Sequence, residues 1–209
     1  MNIKVIKNFF ELSDLKFINS LKLPKKVGNN DIAIYHNKIN KSGKISSQLF
    51  DDSFLESIYK KYHPIALDIL KELSPKKVDL YEYSEFHLVE TGKDFSFPIH
   101  DDIPNKLLSG VIYLKPSNNL GTSFFKSKKG DGEETVDWEV NKAVFFSREE
   151  RKTWHSYKGD GKMNRFTIVY NLMTDNIKKV YFVEGKNSII GRLRAIINPY
   201  LFKYFKFTI

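Results

Sequence analysis

The chain has 209 residues, of which 41% are hydrophobic and 28% charged, a composition typical of one globular domain that can bury a core. The net charge of +9 suggests a nucleic-acid partner, but 29 of the 34 basic residues are lysine, whereas recognition of phosphates and bases favours arginine, which weakens this interpretation. The absence of cysteine excludes disulfides, a cysteine nucleophile and thiolate metal sites, and leaves His, Asp and Glu as candidate metal ligands.

Neither a membrane span nor a secretory signal is predicted. No uncharged apolar run is long enough to cross a bilayer, and acidic residues interrupt the N-terminal segment before a signal peptide could form. We therefore expect a cytoplasmic protein.

The N-terminal part is predicted to be mainly helical. A short strand at Ile3–Ile6 precedes a helix near Leu12–Leu21, which Ser13 or Asp14 could cap. Residues 24–49 are rich in lysine, asparagine and glycine, which predicts a loop.

A second helix is predicted to begin after one of three capping residues, Asp51, Asp52 or Ser53. Apolar residues at helical spacing continue from there to Leu73. Pro64 lies inside this run, so we expect a kink or two shorter helices.

After Pro75 the pattern changes to short β-rich segments separated by polar, glycine-bearing turns. The predicted strands are 78–89, 108–114, 122–125, 135–140, 143–146 and 166–172. Helices followed by about seven antiparallel strands predict an α+β fold, a β-sandwich or jelly roll with helices packed outside.

The C-terminal segment, residues 178–209, carries seven basic residues and one acidic residue. We expect a helix over Ser188–Ile197, ended by Pro199, with an apolar face that includes Ile189 and Leu193. This extension could pack on the domain, form a homodimer interface or lie on an anionic membrane surface. The first two roles are favoured over the third.

The sequence His100-Asp101-Asp102 is a candidate half of a metal site. On an extended segment residues i and i+2 point to the same side, so His100 and Asp102 share a face while Asp101 points away. A second imidazole from a distant strand would complete a two-histidine, one-carboxylate set that leaves other metal positions open.

His155 is the candidate for the second imidazole, because it follows an apolar strand and a charged loop and stands at the mouth of the next strand. His36 and His63 are interpreted as structural or surface residues, since His36 lies in the lysine-rich loop and His63 in a helical run.

Arg165 opens a later strand, and alternation places Arg165, Thr167 and Val169 on one face. An arginine on an otherwise apolar strand is unfavourable unless it meets an anion. A guanidinium with a nearby hydroxyl can hold a carboxylate, so Arg165 and Thr167 form a candidate carboxylate site.

Residues 79–173 resemble the Fe(II)/2-oxoglutarate-dependent oxygenases of the prolyl-hydroxylase-like kind. The resemblance is carried by His100-Asp101-Asp102, then His155, then Arg165-Phe166-Thr167, in the order of the family's His-x-Asp, distal His and Arg-x-Thr pattern. The segments Gly110–Leu114, Leu120–Phe125 and Asn141–Phe146 match the family more loosely. The Leu120–Phe125 segment has only one glycine where the family has two.

The resemblance implies a double-stranded β-helix, the cupin-like form of the jelly roll, with flanking N-terminal helices and a C-terminal helical tail. A single oxygenase domain would span 1–177, with a helical part at 1–75 and the β-helix core at 78–173. Residues 178–209 would form a basic, hydrophobic extension.

The resemblance also implies a reaction and its cofactors. Fe(II) would be held by His100, Asp102 and His155, and the co-substrate 2-oxoglutarate by Arg165 and Thr167, with Tyr113 assigned to the same site. With dioxygen, the enzyme would release succinate and carbon dioxide and hydroxylate a peptidyl residue or a small metabolite. Asp102 argues against the related halogenases, in which a small residue replaces the carboxylate.

Two alternatives remain open at this point. A non-catalytic jelly-roll binding module could use the same residues structurally, although it needs no buried arginine. A nucleic-acid demethylase of the same fold would suit the basic charge, but such enzymes usually have a second arginine soon after the first, and here the next is Arg192. Whether Tyr83, His87 or Tyr113 contacts a ligand is also open.

Overall fold

Two antiparallel sheets and four α-helices form the computed structural model of the chain, which describes residues 3–24 and 26–205, and only the backbone of residues 194, 195, 199, 202, 203 and 205. The strands in these residues are β1 (Ile3–Ile6), β2 (Ile32–Tyr35), β3 (Asn37–Asn40), β4 (Ile45–Ser47), β5 (Tyr83–Thr91), β6 (Ser96–His100), β7 (Lys106–Lys115), β8 (Thr122–Phe125), β9 (Glu134–Val136), β10 (Ala143–Phe146), β11 (Trp154–Lys158) and β12 (Arg165–Met173). The helices are α1 (Leu12–Ser20), α2 (Asp52–Leu73), α3 (Ile177–Val183) and α4 (Ser188–Phe205), with a short 3-10 helix at Pro75–Leu80.

The larger sheet has the order β1-β10-β7-β12-β5-β3-β4, and β2 also pairs with β5. The smaller sheet has the order β6-β11-β8-β9. This arrangement is the predicted α+β sandwich of jelly-roll type with helices outside, with eight described strands after Pro75 where about seven were predicted, and with β2, β3 and β4 in addition.

The two faces of the larger sheet have different environments, as β12 shows. Its even-numbered residues pack with the helices in the main core. Its odd-numbered residues, from Arg165 to Met173, line a cavity on the inner face. The period-2 alternation of a strand therefore places an apolar row under the helices and a functional row inside.

Helix α2 anchors the outer layer. The Asp51 side chain accepts a hydrogen bond from the Phe54 backbone N–H at 2.7 Å and caps the helix, as one of the three predicted candidates. The predicted division into two helices at Pro64 is wrong, because α2 runs without interruption through this residue, while the alternative of a kink within one helix stays a prediction. Buried residues such as Leu55 and Leu70 fix both halves on the core, which outweighs the one hydrogen bond that proline cannot donate.

The predicted loop at 24–49 is also wrong, since it contains β2, β3 and β4. β2 and β3 pair with β5, and β4 pairs with β3 at the end of the sheet. The buried Asn37 amide donates to the backbone oxygens of Tyr35 and Phe86, at 3.0 and 2.7 Å, which stabilises this edge. These contacts involve partners distant in sequence, so composition alone gave no sign of them.

Several other predicted boundaries need correction. Helix α1 has no side-chain cap, and Asp14 instead accepts a hydrogen bond from the Tyr62 hydroxyl at 2.7 Å. The predicted strand over 78–89 is divided into the 3-10 helix and β5, and the prediction did not include β6 or α3 and gave no bounds for the strand at His155, which is β11. The predicted helix end at Pro199 is wrong because the backbone of α4 continues to Phe205.

The C-terminal extension meets the rest of the chain mainly through α3, on which α4 packs. Tyr181 of α3 is buried and lies where any side chain at Gly191 of α4 would have to go. Much of the rest of α4 is exposed and apolar. No helix in the described part of the chain is long and apolar enough to cross a membrane. Residues 206–209 of the extension lie outside the described residues.

Candidate metal and co-substrate site

A cavity of about 360 Å³ lies on the inner face of the larger sheet. Its polar lining residues are His36, Glu85, His87, Thr91, His100, Asp102, Lys106, Ser109, Thr122, His155, Tyr157, Arg165, Thr167 and Asn171. The remaining wall is mostly aliphatic and aromatic. A mainly apolar pocket with a few converging polar groups is the usual form of a small-molecule site.

The structure brings His100, Asp102 and His155 together. His100 is the last residue of β6 and lies directly opposite His155 of β11, and Asp102 follows two residues later. One donor atom from each side chain lies within 4.8 Å of the other two. Among the described residues, this is the one group of three or more His, Asp or Glu side chains found close enough to hold a metal ion.

Backbone hydrogen bonds orient both imidazoles. His100 Nδ1 lies 3.0 Å from the Pro98 carbonyl oxygen, and His155 Nδ1 lies 2.9 Å from that of Thr153. A carbonyl can only accept, so each Nδ1 carries the proton and each Nε2 presents a lone pair. This is the common arrangement of metal-binding histidines, in which the second nitrogen is held by a backbone or carboxylate oxygen.

The electrostatics of the three groups suit metal binding. Burial lowers the pKa of His100 to about 3, so the imidazole is neutral at physiological pH. Burial acts to raise the pKa of Asp102, but the charges of Lys106, His155 and His100 and the hydrogen bond from Lys106 together hold this pKa below the usual range. Asp102 also accepts hydrogen bonds from Lys106 Nζ at 2.7 Å and from Ser109 Oγ at 2.5 Å.

Asp101 points away from the cavity, as the alternation predicted. Its carboxylate accepts hydrogen bonds from the Thr153 hydroxyl and the Arg151 backbone N–H, both at 2.6 Å. These bonds join the segment after β6 to the loop before β11. Asp101 therefore helps to hold the two halves of the triad together.

Arg165 is a buried cation without a counter-ion. It is 2% exposed, its Nε has no hydrogen-bond partner, and no carboxylate in the described residues forms an ion pair with it. The guanidinium carbon lies 4.5 Å from the ring centre of Tyr157 and 5.2 Å from that of Trp138, so two aromatic rings fix its position. A buried, unpaired guanidinium at a cavity wall is a site for an anion.

Thr167 lines the same cavity two residues further along β12. Tyr113, which was assigned with it, does not line the cavity. Its hydroxyl donates to Thr122 Oγ1 at 2.9 Å and accepts from the Thr122 N–H at 3.0 Å, while its ring stacks on Trp138. A contact between Tyr113 and the co-substrate therefore stays a prediction, and its visible role is to support the wall beside Arg165.

The structure shows which of the remaining candidate residues reach the cavity. Tyr83 does not line the cavity, and its hydroxyl donates to Asp175 at 3.1 Å. His87 does line it, and so does His36, which was interpreted as structural or surface. His63 is buried and stacks on Tyr59 with ring centres 4.4 Å apart, in agreement with a structural role.

Sequence reasoning missed Glu85, Lys106, Tyr157 and Asn171, all of which line the cavity. Extending the alternation from Arg165 to Asn171, and from His87 back to Glu85, would have found two of them. Lys106 and Tyr157 gave no such signal, because their strand boundaries were not predicted correctly.

Comparison with solved structures shows what the fold resembles. An oxidoreductase of the 2OG-Fe(II) oxygenase family from Burkholderia pseudomallei matches with a TM-score of 0.57 and 15% identity over 82% of this chain and 85% of that one. The viral collagen prolyl hydroxylase of Paramecium bursaria Chlorella virus-1, in its 2OG complex, has a TM-score of 0.53 and 12% identity over 83% and 97%.

A prolyl hydroxylase from Trichoplax adhaerens, in complex with a hypoxia-inducible-factor peptide fragment, has a TM-score of 0.54 and 14% identity over 85% of this chain and 86% of that one. No protein-family profile and no curated protein sequence matches the chain. The chain thus has the fold of the prolyl-hydroxylase-like 2-oxoglutarate oxygenases, which confirms the predicted double-stranded β-helix and, for the fold, the resemblance seen in the sequence.

Proposed function

We propose that the protein is an Fe(II)- and 2-oxoglutarate-dependent dioxygenase that hydroxylates its substrate. The proposal is carried by one observation, namely that a buried two-histidine, one-carboxylate set and an unpaired buried guanidinium line the same cavity. A module that binds a neutral ligand such as a carbohydrate has no use for a buried cation without a counter-ion, whereas this oxygenase chemistry needs both features in one pocket.

The residues present fit both groups. Two imidazoles and one carboxylate form the donor set of non-haem Fe(II) sites that keep positions open for other ligands. Metal–ligand bonds are about 2.1 Å long, so the three donors, which lie within 4.8 Å of one another, would have to move closer together by side-chain rotation to share an ion. The orphaned Nε of Arg165 fits a dicarboxylate, because a carboxylate accepts the paired donors of a guanidinium.

The roles of the side chains follow from their contacts. Nε2 of His100 and of His155 and the Asp102 carboxylate would hold the iron. Arg165, fixed between Tyr157 and Trp138, would bind the distal carboxylate of 2-oxoglutarate, and the Thr167 hydroxyl would donate a further hydrogen bond. The apolar walls would limit the access of water to the reacting groups.

When bound, Fe(II), 2-oxoglutarate and dioxygen together supply the oxidising chemistry, in which 2-oxoglutarate is converted to succinate and carbon dioxide as a C–H bond is hydroxylated. The protein contributes geometry, charge and a shielded pocket. A peptidyl residue or a small metabolite is the proposed substrate, and the peptide bound to the Trichoplax adhaerens structural neighbour supports the first of these.

Succinate formation tests the proposal without knowledge of the substrate. Purified protein supplied with Fe(II), 2-oxoglutarate and oxygen is expected to release succinate slowly. His100→Ala and His155→Ala should abolish this release, because each removes one of three ligands. His63→Ala is the matched control, since it removes a buried imidazole outside the cavity and should retain the release if the variant is folded.

Two results would contradict the proposed function. One is the absence of both succinate release and 2-oxoglutarate binding in protein that contains Fe(II), which would favour the binding module. The other is release that persists in both His100→Ala and His155→Ala. Circular dichroism of each variant separates loss of the site from loss of the fold.

A further inference from the structure

The cavity has a second polar region at the end of β12 away from Arg165. Asn171 lies six residues beyond Arg165, about 20 Å along the strand at roughly 3.3 Å per residue. It pairs in register with Glu85 of β5 on one side and with Ser109 of β7 on the other. Ser109 binds Asp102, so this region adjoins the metal site on the side opposite Arg165.

Glu85 is the central group of this region. Its Oε2 accepts a hydrogen bond from Asn171 Nδ2 at 3.1 Å and lies 3.3 Å from His87 Nε2. Oε1 accepts no hydrogen bond from any described residue and is available for a ligand. The side chain is 21% exposed and lines the cavity, so a molecule in the cavity can reach it.

His87 does not neutralise Glu85. The Asn37 backbone N–H donates to His87 Nδ1 at 3.2 Å, so Nδ1 carries a lone pair and the ring is neutral with its proton on Nε2. That proton points to Glu85 Oε2 and to His36 Nδ1, which is 3.4 Å away. The two histidines therefore orient the carboxylate and leave its charge unbalanced.

Lys106 is the cation near Glu85 among the described cavity residues, but it already forms an ion pair with Asp102. Its Nζ forms an ion pair with Asp102 at 2.7 Å and none with Glu85. Burial acts to raise the pKa of Glu85, but hydrogen bonding to His87 leads the contributions that lower it, and the net direction is down. Glu85 is therefore an ionised carboxylate in a part-buried wall without a cation in contact.

We propose that Glu85, oriented by Asn171 and His87, binds a positively charged nitrogen of the substrate, a primary ammonium or guanidinium group, and holds it beside the metal site. This inference rests on the proposed function and adds the substrate class. A cationic nitrogen donates to Oε1 and supplies the missing counter-charge in one contact. A neutral polyol supplies no charge, and a carboxylate is repelled.

The test uses a matched series of small probes: pentylamine, pentylguanidine, 1-pentanol and pentanoate. Two readouts are measured, the thermal stabilisation of the iron- and 2-oxoglutarate-loaded protein and the succinate release relative to each variant's own rate without probe. The two cationic probes should stabilise the protein and stimulate release more than the neutral and anionic ones. Glu85→Gln should weaken their binding by about tenfold or more, since it removes the charge but keeps the shape.

Glu90→Gln is the control, because Glu90 lies on the same strand but does not line the cavity, and its Oε1 accepts from Asn164 at 2.8 Å. This variant should respond to the probes as the wild type does. Three results would overturn the cation site. They are a stronger response to pentanol or pentanoate than to the cations, no response to either cation, and a response to the cations that Glu85→Gln leaves unchanged. The cationic probes could also stabilise the wild type but not Glu85→Gln while neither protein releases succinate. This result supports the cation site and contradicts the oxygenase.

A separate observation concerns the surface of α4. Seven apolar or aromatic residues lie along one face at helical spacing and are exposed: Ile189, Ile190, Leu193, Ile196, Ile197, Tyr200 and Tyr204. Ile189, Leu193 and Ile196 are 70, 54 and 65% exposed, although Gly191 on another side of the helix contacts Tyr181. Monomeric proteins rarely leave such a continuous apolar stripe in water.

The net positive charge of residues 178–209 favours an anionic partner for this apolar stripe. Residues 178–209 carry seven basic residues and one acidic residue, and Arg192 is exposed beside the stripe. A second copy would bring together two segments that each carry a net positive charge, whereas an anionic lipid surface attracts such a segment. A helix with one apolar face and basic flanks can lie in the plane of a membrane surface.

We infer that α4 binds an anionic lipid surface with this apolar stripe. Co-sedimentation with vesicles tests it, using phosphatidylcholine alone and phosphatidylcholine mixed with phosphatidylserine. Binding should require the anionic lipid and weaken as salt rises. Leu193→Glu and Ile196→Glu should each abolish binding, while Leu12→Glu, a matched change at a 71% exposed leucine of α1, should not.

Two outcomes overturn the lipid surface. One is the absence of binding to anionic vesicles by the wild-type protein. The other is a dimeric mass in solution that both Leu193→Glu and Ile196→Glu, but not Leu12→Glu, reduce to that of a monomer, because the stripe would then be a protein interface.

Discussion

At the scale of single residues, Arg165 is the clearest functional signal in the chain. Burying a guanidinium without a partner destabilises a fold, and the surrounding Tyr157 and Trp138 rings offset only part of that effect. A protein that retains such a group gains from it when an anion binds. The sequence predicted this residue because arginine on an apolar strand is unusual, although sequence alone could not show that no carboxylate meets it.

Arg165→Met is expected to separate stability from binding. Without 2-oxoglutarate, the variant should be as stable as the wild type or more stable by about 1 kcal/mol, because a lone buried charge is removed. The stabilisation by 2-oxoglutarate seen in the wild type should disappear. Thermal unfolding with and without 2-oxoglutarate measures both, and Arg165→Lys should retain part of the response.

Undiminished stabilisation of Arg165→Met by 2-oxoglutarate would contradict the assigned role. A loss of more than about 3 kcal/mol of stability without 2-oxoglutarate would show instead that the guanidinium has a structural partner.

The lowered pKa of the buried His63 predicts that the fold loses stability in acid. Burial lowers its pKa to about 4, below the ordinary value of 6.5, and the charge of Lys41 acts in the same direction. The unfolded chain therefore binds more protons between these pH values, so the contribution of His63 to stability is complete above pH 6.5 and is lost as the pH falls towards 4.

His63→Phe keeps an aromatic ring against Tyr59 and removes the titration. The free energy of unfolding of the wild type, measured by denaturant between pH 7 and pH 4.5, should fall by on the order of 1–2 kcal/mol more than that of the variant, after allowance for solvent screening. Parallel pH profiles in the two proteins would show that His63 does not titrate on unfolding.

At the scale of elements, α3 is tied to the metal-binding segment through a buried ion network. The Glu184 carboxylate, just after α3, pairs with Lys77 at 2.7 Å and with Arg148 at 2.8 Å, and all three side chains are at most 4% exposed. Arg148 Nε also donates to the Asp102 backbone oxygen at 3.1 Å. The first part of the C-terminal extension therefore supports the position of a proposed iron ligand.

Glu184→Gln is expected to lower the free energy of unfolding by about 3–5 kcal/mol, because it leaves two buried cations without their counter-charge. Glu56→Gln, which removes an exposed pair with Lys60, should change it by less than about 1 kcal/mol. Denaturant unfolding measures both variants. Metal affinity should also fall in Glu184→Gln, and equal stability of the two variants would contradict the importance of the network.

The predicted elements failed where distant partners determine the structure. Residues 24–49 became strands because β5 offers pairing positions and Asn37 satisfies buried backbone groups, neither of which leaves a local pattern. α2 and α4 continue through Pro64 and Pro199, where the local rule predicts a break. By contrast, β10 and β8 were predicted with correct bounds, since their apolar character and flanking turns are local properties.

At the scale of the whole molecule, the order of the motifs along the chain was enough to predict the architecture. The His100 and Asp102 pair, His155 and Arg165 come from three strand regions that only a folded-over sandwich brings to one cavity. The alternation could have placed Glu85 and Asn171 on the inner face of their strands, but not next to each other, because they become neighbours only through the pairing of β5 with β12. The charges behind the two further inferences lie in different parts of the molecule. The ionised Glu85 carboxylate lies at the cavity wall, whereas the excess of basic residues lies in the C-terminal segment, residues 178–209.

The most direct test of the oxygenase proposal is an anaerobic titration of the protein with Fe(II) and 2-oxoglutarate, followed by visible absorption. If both groups bind in one cavity, a metal-to-ligand charge-transfer band should rise and saturate at one iron per chain, and it should be absent in His155→Ala. Two results would contradict a shared site built on His100, Asp102 and His155. One is that the wild-type protein binds Fe(II) and 2-oxoglutarate without producing the band. The other is that His155→Ala produces the band as strongly as the wild type.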